Sequence, residues 1–412
     1  MSDTLKKIAE NYGAGLVNGS YLNGIAEYYG VDLATSTDLI ADIRIAIGGD
    51  LAETNDYLQD IVTTLGGIEP VNGNWMEAWE AITAGPPPAP VNTTPPDLSG
   101  KFRYEGETVT TDDGTWDNSP TSFTYQWYRD ATPISGETLN EYILAAADVD
   151  KYISCEVTAI NAGGSATEPS NALYIFDYDY AQVYYYNEDT AEAESILQNQ
   201  FMLAIKAAGV WAKLDVLCVF RGSGDGAAYV DWKRLITVTN IDCAFDTTQG
   251  FIGDASIPAY IDTQFAATAG TNYTQNNASR YFFPYAFSGT GPMDGSIQGG
   301  GGSRNKMLLN NSTSHKINQN GLVPLSSAFE YTTTVQPKSI HRTSATAVTL
   351  FNGTTSSNRT AVSTTLGGVN LYILRDTNDY ADHTVAAYAA GASMVAENTA
   401  FVAAWNTYIT AL

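Results

Sequence analysis

Bond-breaking chemistry needs reactive side chains at fixed spacings, and this chain offers few. A glycosidase needs two carboxylates facing one cleft, about 5–10 Å apart. The strand-rich part of the chain has a single glutamate between Glu194 and Glu397, Glu330, flanked by apolar residues and threonine. A serine hydrolase needs a GxSxG elbow; none occurs, and the Gly-Gly-Gly-Ser run at 300–303 reads as a loop. The 222–226 run, Gly-Ser-Gly-Asp-Gly, lacks the Lys-Ser/Thr that completes a phosphate loop and reads as a turn. Its Asp225, with Asp231, is a weak candidate for calcium, which takes hard oxygen ligands from loops. His315, His341 and His383 have no helical spacing between them, and Cys155, Cys218 and Cys243 make no CxxC. A His-based metal site, a structural zinc and a disulfide framework are therefore not expected. The chain reads as non-enzymatic and without a cofactor.

Binding chemistry is better represented. Sugars offer C–H faces that stack on aromatic rings and hydroxyls that pair with Asn, Asp and Arg. The stretch 272–285 supplies both kinds of group, so Tyr273, Asn276, Asn277 and Arg280 are the candidate carbohydrate-binding residues. In the competing reading Tyr281, Phe283 and Tyr285 alternate into a core, leaving Tyr273, Asn276 and Asn277 at the surface. Trp211 and Trp232 read as core or helix–sheet contacts rather than ligand platforms.

The elements that must position these groups fall into three segments within 412 residues. The proline-rich stretch 86–96 should run extended, because proline fixes φ and lacks an N–H, and it marks a linker. Before it, residues 1–85 repeat themselves: Val17-Asn-Gly-Ser-Tyr-Leu22 returns as Val71-Asn-Gly-Asn-Trp-Met76, and glycines recur at 13, 30, 48, 66 and 85. Each unit has an N-cap, a short amphipathic helix and a closing glycine. Helices so short must pack on one another or on a partner, which leaves a small bundle or a docking module open. After the linker, 97–176 alternates apolar and polar residues through Phe123-Thr-Tyr-Gln-Trp-Tyr-Arg129. It goes on to Asp148-Val-Asp-Lys-Tyr-Ile-Ser-Cys155, which has the form of a tyrosine corner. Residues 177–412 open with a helix over 190–208 and close with one carrying Phe401, Trp405, Ile409 and Leu412 on one face. Between them short strands are expected at 214–221, 235–239, 259–265, 280–287, 331–336, 348–351 and 369–375, with Asn352-Gly353 and Asn320-Gly321 as hairpin turns. The fold class is multidomain and mainly β: a small α-helical repeat module and two β-sandwiches, the second flanked by helices.

Charge excludes some partners. Twenty Lys and Arg stand against 45 Asp and Glu, a net charge of −25. Phosphate backbones and anionic lipid both need clustered cations, so neither nucleic acid nor a membrane surface is expected. No apolar run reaches the roughly 20 residues of a membrane span, and the N-terminus lacks a signal peptide's apolar core.

The Trp127 strand and the corner preceding Cys155 resemble an immunoglobulin-like sandwich, although Cys155 has no partner cysteine upstream. Gly209-Val-Trp-Ala-Lys-Leu-Asp, Gly250-Phe-Ile-Gly-Asp, Tyr260-Ile-Asp-Thr, Asn272-Tyr-Thr-Gln-Asn-Asn-Ala-Ser and Ala387-Tyr-Ala-Ala-Gly-Ala-Ser resemble a concanavalin A-like module of bacteriophage structural proteins. The Val-Asn-Gly repeat is similar to helical repeats in phage virion proteins. The resemblance implies a head fibre, decoration protein or tail appendage on the particle exterior. Residues 1–85 would hold it to other virion proteins in many copies, and its sandwiches would meet host-surface glycans. It transfers no catalytic residue. A purely structural capsid or tail protein and a polysaccharide-active enzyme are the alternatives.

Overall fold

The computed structural model describes residues 87–100, 102–186, 191–221, 229–286, 291–297, 304–309, 317–318, 335–360, 370–376 and 379–412. The helical repeat of 1–85, Asp225, Glu330, the glycine run at 299–302 and Asn320-Gly321 lie outside the described residues. The described chain is mainly β, with antiparallel pairing and three α-helices among the described residues. Its described residues divide into two compact units, one within 87–97, 112–125 and 156–170, the other within 98–111, 126–155 and 171–412.

In the first unit Val91–Thr94 pairs with Thr115–Asp117, and residues 156–161 pair with Gly164–Pro169. The prolines hold 87–90 extended. Asn161 Nδ2 ties this stretch down by donating to the Pro88 carbonyl at 2.9 Å. Gly163 lies so close beneath it that a Cβ would fall 1.7 Å from the Pro87 oxygen.

The second unit begins with a core built around Trp127. Trp127 is fully buried, packs at a tilt on Tyr142 with ring centres 5.4 Å apart and donates its indole N–H to the Leu139 carbonyl at 2.8 Å. Val109, Leu98, Ile153 and Cys155 are buried with it. The expected tyrosine corner is closed differently. Tyr152 is exposed, and the buried carboxylate of Asp148 does the joining: it accepts from Arg129 Nε at 2.6 Å, Tyr142 Oη at 2.8 Å and the Ala145 N–H at 2.7 Å. A buried charge is tolerable when its oxygens are filled in this way.

The rest of the second unit is a helix layer over two facing sheets. The large sheet runs, edge to edge, through Ile236–Thr237, Val230–Asp231, Leu214–Val219, Thr384–Gly391, Ala278–Ala286, Lys338–Arg342, Ala347–Asn352 and Thr355–Thr360. The smaller one runs through Thr239–Ile241, Tyr260–Ala266, Asn370–Ile373, Gly291–Ile297, Arg304–Leu309 and Ile317–Asn318. Val216, Phe282, Ile340, Leu350 and Tyr388 from the large sheet meet Ile261, Phe265, Met293, Leu371 and Ile373 from the smaller one in a common core. On its other face the large sheet sends Leu217, Tyr281, Phe283, Ala387 and Ala389 against Phe201, Phe401, Trp405 and Tyr408. Those four rings belong to the helices Glu192–Ala207 and Asn398–Ala411. The first helix ends at Gly209, φ +73, as its sequence requires.

The strand endings shift by a residue or two from expectation. Asn352-Gly353 does turn a hairpin between 347–352 and 355–360, Gly353 taking φ +62. The strand expected at 331–336 is not seen at 335–336; pairing begins at Lys338. The long central strand Thr384–Gly391 has no counterpart in the expected set.

Candidate functional site

Along a strand, side chains alternate between faces. On the smaller sheet Ile261, Leu371 and Ile373 are buried in the core, while Tyr260, Asp262, Asn370 and Tyr372 stand half-buried on the opposite face. Strand register sets Tyr260 beside Ile241 and places Asp262 between Thr239 and Tyr372, with Gly295 next in the row.

Asp262 is fixed from two sides. Its Oδ1 accepts the Gln264 N–H at 2.7 Å, and its two oxygens accept from Asn370 Nδ2 at 3.0 and 3.2 Å. The strand bulges between Asp262 and Ala266. Gln264 takes φ +55 there and donates its side-chain amide to the Thr237 carbonyl at 2.7 Å.

Arg375 completes the cluster through a break in alternation. Counting from Tyr372, residue 375 should fall on the core side. Leu374, at φ +65, resets the count, so its own side chain is buried and Arg375 emerges beside Tyr372. A left-handed leucine costs about 1–2 kcal/mol. Its buried side chain and its N–H bond to the Met293 carbonyl at 2.9 Å hold it there. Strain of this kind gathers where a site needs a side chain re-aimed.

The guanidinium carbon of Arg375 lies 4.2 Å from the centre of the Tyr260 ring, 4.8 Å from Tyr372 and 5.8 Å from Tyr380, its cross-strand partner. Tyr260 and Tyr372 meet edge to face at 5.5 Å, and Tyr260 stacks on Tyr380 at 6.2 Å. Among the described side chains none is seen to pair with the guanidinium of Arg375, whose Nε is buried without a partner. Burial, then the Asp262 charge, raises the Tyr372 phenol above its ordinary pKa, so it stays a neutral donor. Three rings, a cation, a fixed carboxylate and an amide on one outward face can hold a polyol with apolar C–H faces.

The four residues expected to bind sugar are not gathered on one surface. Tyr273 and Arg280 are buried, at 1% and 0% exposure: Arg280 lies on a central strand covered on both faces, and the Tyr273 ring packs into the core against Phe265. Asn276 and Asn277 are exposed at the turn 274–277, and Asn277 Oδ1 accepts the Ser393 N–H at 2.8 Å. The loop leading to them is set by Asp215, which takes the N–H groups of Thr271, Asn272 and Tyr273. Tyr281 and Phe283 are buried as the competing reading had them, but Tyr285 is exposed. Trp232 is buried against Tyr180 and Phe201, whereas Trp211 is half-buried under the Lys233 ammonium at 4.1 Å.

The calcium candidate Asp231 is fully buried, and its oxygens take Arg234 Nε and the N–H groups of Leu217 and Lys233. That leaves it a structural ion pair. No group of three His, Cys, Asp or Glu gathers around a common centre among the described residues.

A Ser–His–Asn chain, unmarked by sequence spacing, runs beneath the closing helix. The Met394 N–H donates to His341 Nδ1 at 3.1 Å, so the imidazole proton sits on Nε2 and faces Ser339 Oγ at 2.9 Å. Ser339 in turn donates to Asn398 Oδ1 at 3.1 Å, and Asn398 Nδ2 donates to the Gly353 carbonyl at 3.0 Å. His341 thus donates to the serine rather than taking its proton, and burial pushes its pKa down to about 3. The chain cross-links strand, helix and hairpin turn; it does not activate a nucleophile.

Signals for the tyrosine face were present in the text as Tyr260-x-Asp262 and Asn370-x-Tyr372, each at strand spacing. Which strands neighbour each other, and the parity reset at Leu374, were not.

No family model matches the sequence, and no curated protein matches it. Among solved structures, domain 4 of AbnA, a GH43 extracellular arabinanase from Geobacillus stearothermophilus, solved with arabinotriose, aligns at TM-score 0.33 and 13% identity, covering 46% of this chain and 98% of that one. The binding domain of botulinum neurotoxin serotype D aligns at TM-score 0.33 and 11% identity, covering 48% and 52%. Trypanosoma rangeli sialidase, solved with sialic acid, aligns at TM-score 0.34 and 10% identity, covering 76% and 53%. This chain thus spans about half the length of the latter two.

Proposed function

We propose that this chain is a non-enzymatic adhesion protein that binds glycans on the outer face of its smaller sheet. One observation carries the reading: Tyr260, Tyr372 and Tyr380 surround Arg375, with Asp262 and Asn370 alongside on the same exposed face. Rings would stack on the apolar faces of sugar units, and Asp262 and Asn370 would pair with hydroxyls. Single contacts of this type are weak, and many copies displayed together turn them into firm attachment. Tyr372→Ala should lower retention on immobilised bacterial surface polysaccharide at least tenfold while the melting temperature stays within a few degrees. Equal retention by the variant would remove the site.

The place of display we propose is the exterior of a bacteriophage particle, with residues 1–85 bound to other virion proteins. The order of the three segments and their sequence resemblances support this reading. Immunogold labelling of particles with an antibody against the chain tests it, and unlabelled particles would refute it.

A further inference from the structure

We infer that the ligand of this face carries a carboxylate, which Arg375 receives; the inference rests on the glycan reading above and names the class of sugar. The described ion pairs give Arg103, Arg129 and Arg234 a carboxylate each, from Glu192, Asp148 and Asp231. Arg375 has none. It is held by three rings, and its buried Nε has no partner among the described residues.

Ring faces attract a cation but are only weak acceptors for its N–H groups, and guanidinium carries five of these. A cation kept stacked, half-buried and with unspent donors is completed by an acceptor from outside. A carboxylate matches the planar fork of arginine with two parallel bonds. The neighbouring carboxylate selects as well. Asp262, across Tyr372 and fixed by Gln264 and Asn370, accepts hydroxyl groups and repels a second anion. The face therefore suits a sugar with one carboxylate directed to Arg375 and hydroxyls directed to Asp262, its ring lying on tyrosine. Uronic acids and other carboxylated sugars share this chemistry; neutral sugars leave Arg375 unfilled.

The test uses the full chain on an array of matched glycan pairs, each printed with its carboxylate free and as the methyl ester, beside neutral and sulfated glycans. The free acid should bind about tenfold more tightly than its ester. Arg375→Met should bring the acid down to the level of the ester, and Arg375→Lys, which keeps the charge but loses the fork, should fall between. Thermal melts establish that the variants are folded, and the acid–ester comparison on the unaltered chain needs no variant. Equal binding of acid and ester, or binding confined to sulfated glycans, would overturn the carboxylate assignment and leave the glycan reading standing. Silence across the array, unchanged by Tyr372→Ala, would overturn both.

Discussion

At the scale of single residues the chain spends its polar groups on architecture. Asp148, Asp215, Asp231 and His341 each sit where catalysis could be sought, and each has its acceptors filled by backbone N–H groups or by a cation. His341 makes this measurable. Burial holds its folded pKa at about 3, against 6.5 in the unfolded chain. Below pH 6.5 the unfolded chain binds a proton that the native state refuses, so stability is full above that pH and falls as the pH drops toward 3. Each pH unit in that window costs about a factor of ten in the folding equilibrium. His341→Gln should be less stable than the parent at pH 7 yet lose less between pH 6.5 and pH 4. Circular dichroism melts across that range will show it, and parallel pH profiles would refute it.

The elements show how a strand can be built from residues that favour helices. Thr384–Gly391 has four alanines, Ala386, Ala387, Ala389 and Ala390, all buried. It lies between Leu214–Val219 and Ala278–Ala286 at the middle of the large sheet. Small side chains there admit the rings of Phe401 and Trp405 on one face and the sandwich core on the other. Ala389→Leu, a larger apolar residue in a closed space, should destabilise by about 1–3 kcal/mol, read as a lower denaturation midpoint. Gly391 obeys a stricter limit, since a Cβ there would fall 2.1 Å from the Lys213 carbonyl oxygen. Gly391→Ala must part the 384–391 and 214–219 strands locally, and faster amide exchange along both would reveal it.

At the scale of the whole molecule, charge governs behaviour. A net −25 over 412 residues keeps the chain soluble and sets it against itself. Raising ionic strength from about 10 mM to about 150 mM shortens the screening length from about 30 Å to about 8 Å. The melting temperature should rise as self-repulsion is screened. A fall would mean that the surface ion pairs, Lys151–Asp130 and Arg103–Glu192 among them, outweigh the repulsion. The same negative field makes the ring-held Arg375 a local exception, which is why a single cation can set the ligand class.

What the sequence by itself determined is what short-range physics determines. Periodicity and glycine placement gave the two flanking helices, six of the seven expected strands and the Asn352-Gly353 turn, because such signals act over a few residues. Alternation about Trp127 gave the burial of that ring. Composition set the expectation against nucleic acid as a partner. Only the tertiary structure decided the central alanine strand, whose helix-favouring residues were overruled by neighbours distant in sequence. It also decided the burial of Arg280, since a strand covered on both faces reads like one covered on a single face, and of Tyr273, whose loop is held by Asp215. The tyrosine face came last, because it depends on strands about 110 residues apart in sequence lying side by side and on one left-handed leucine that turns Arg375 toward solvent.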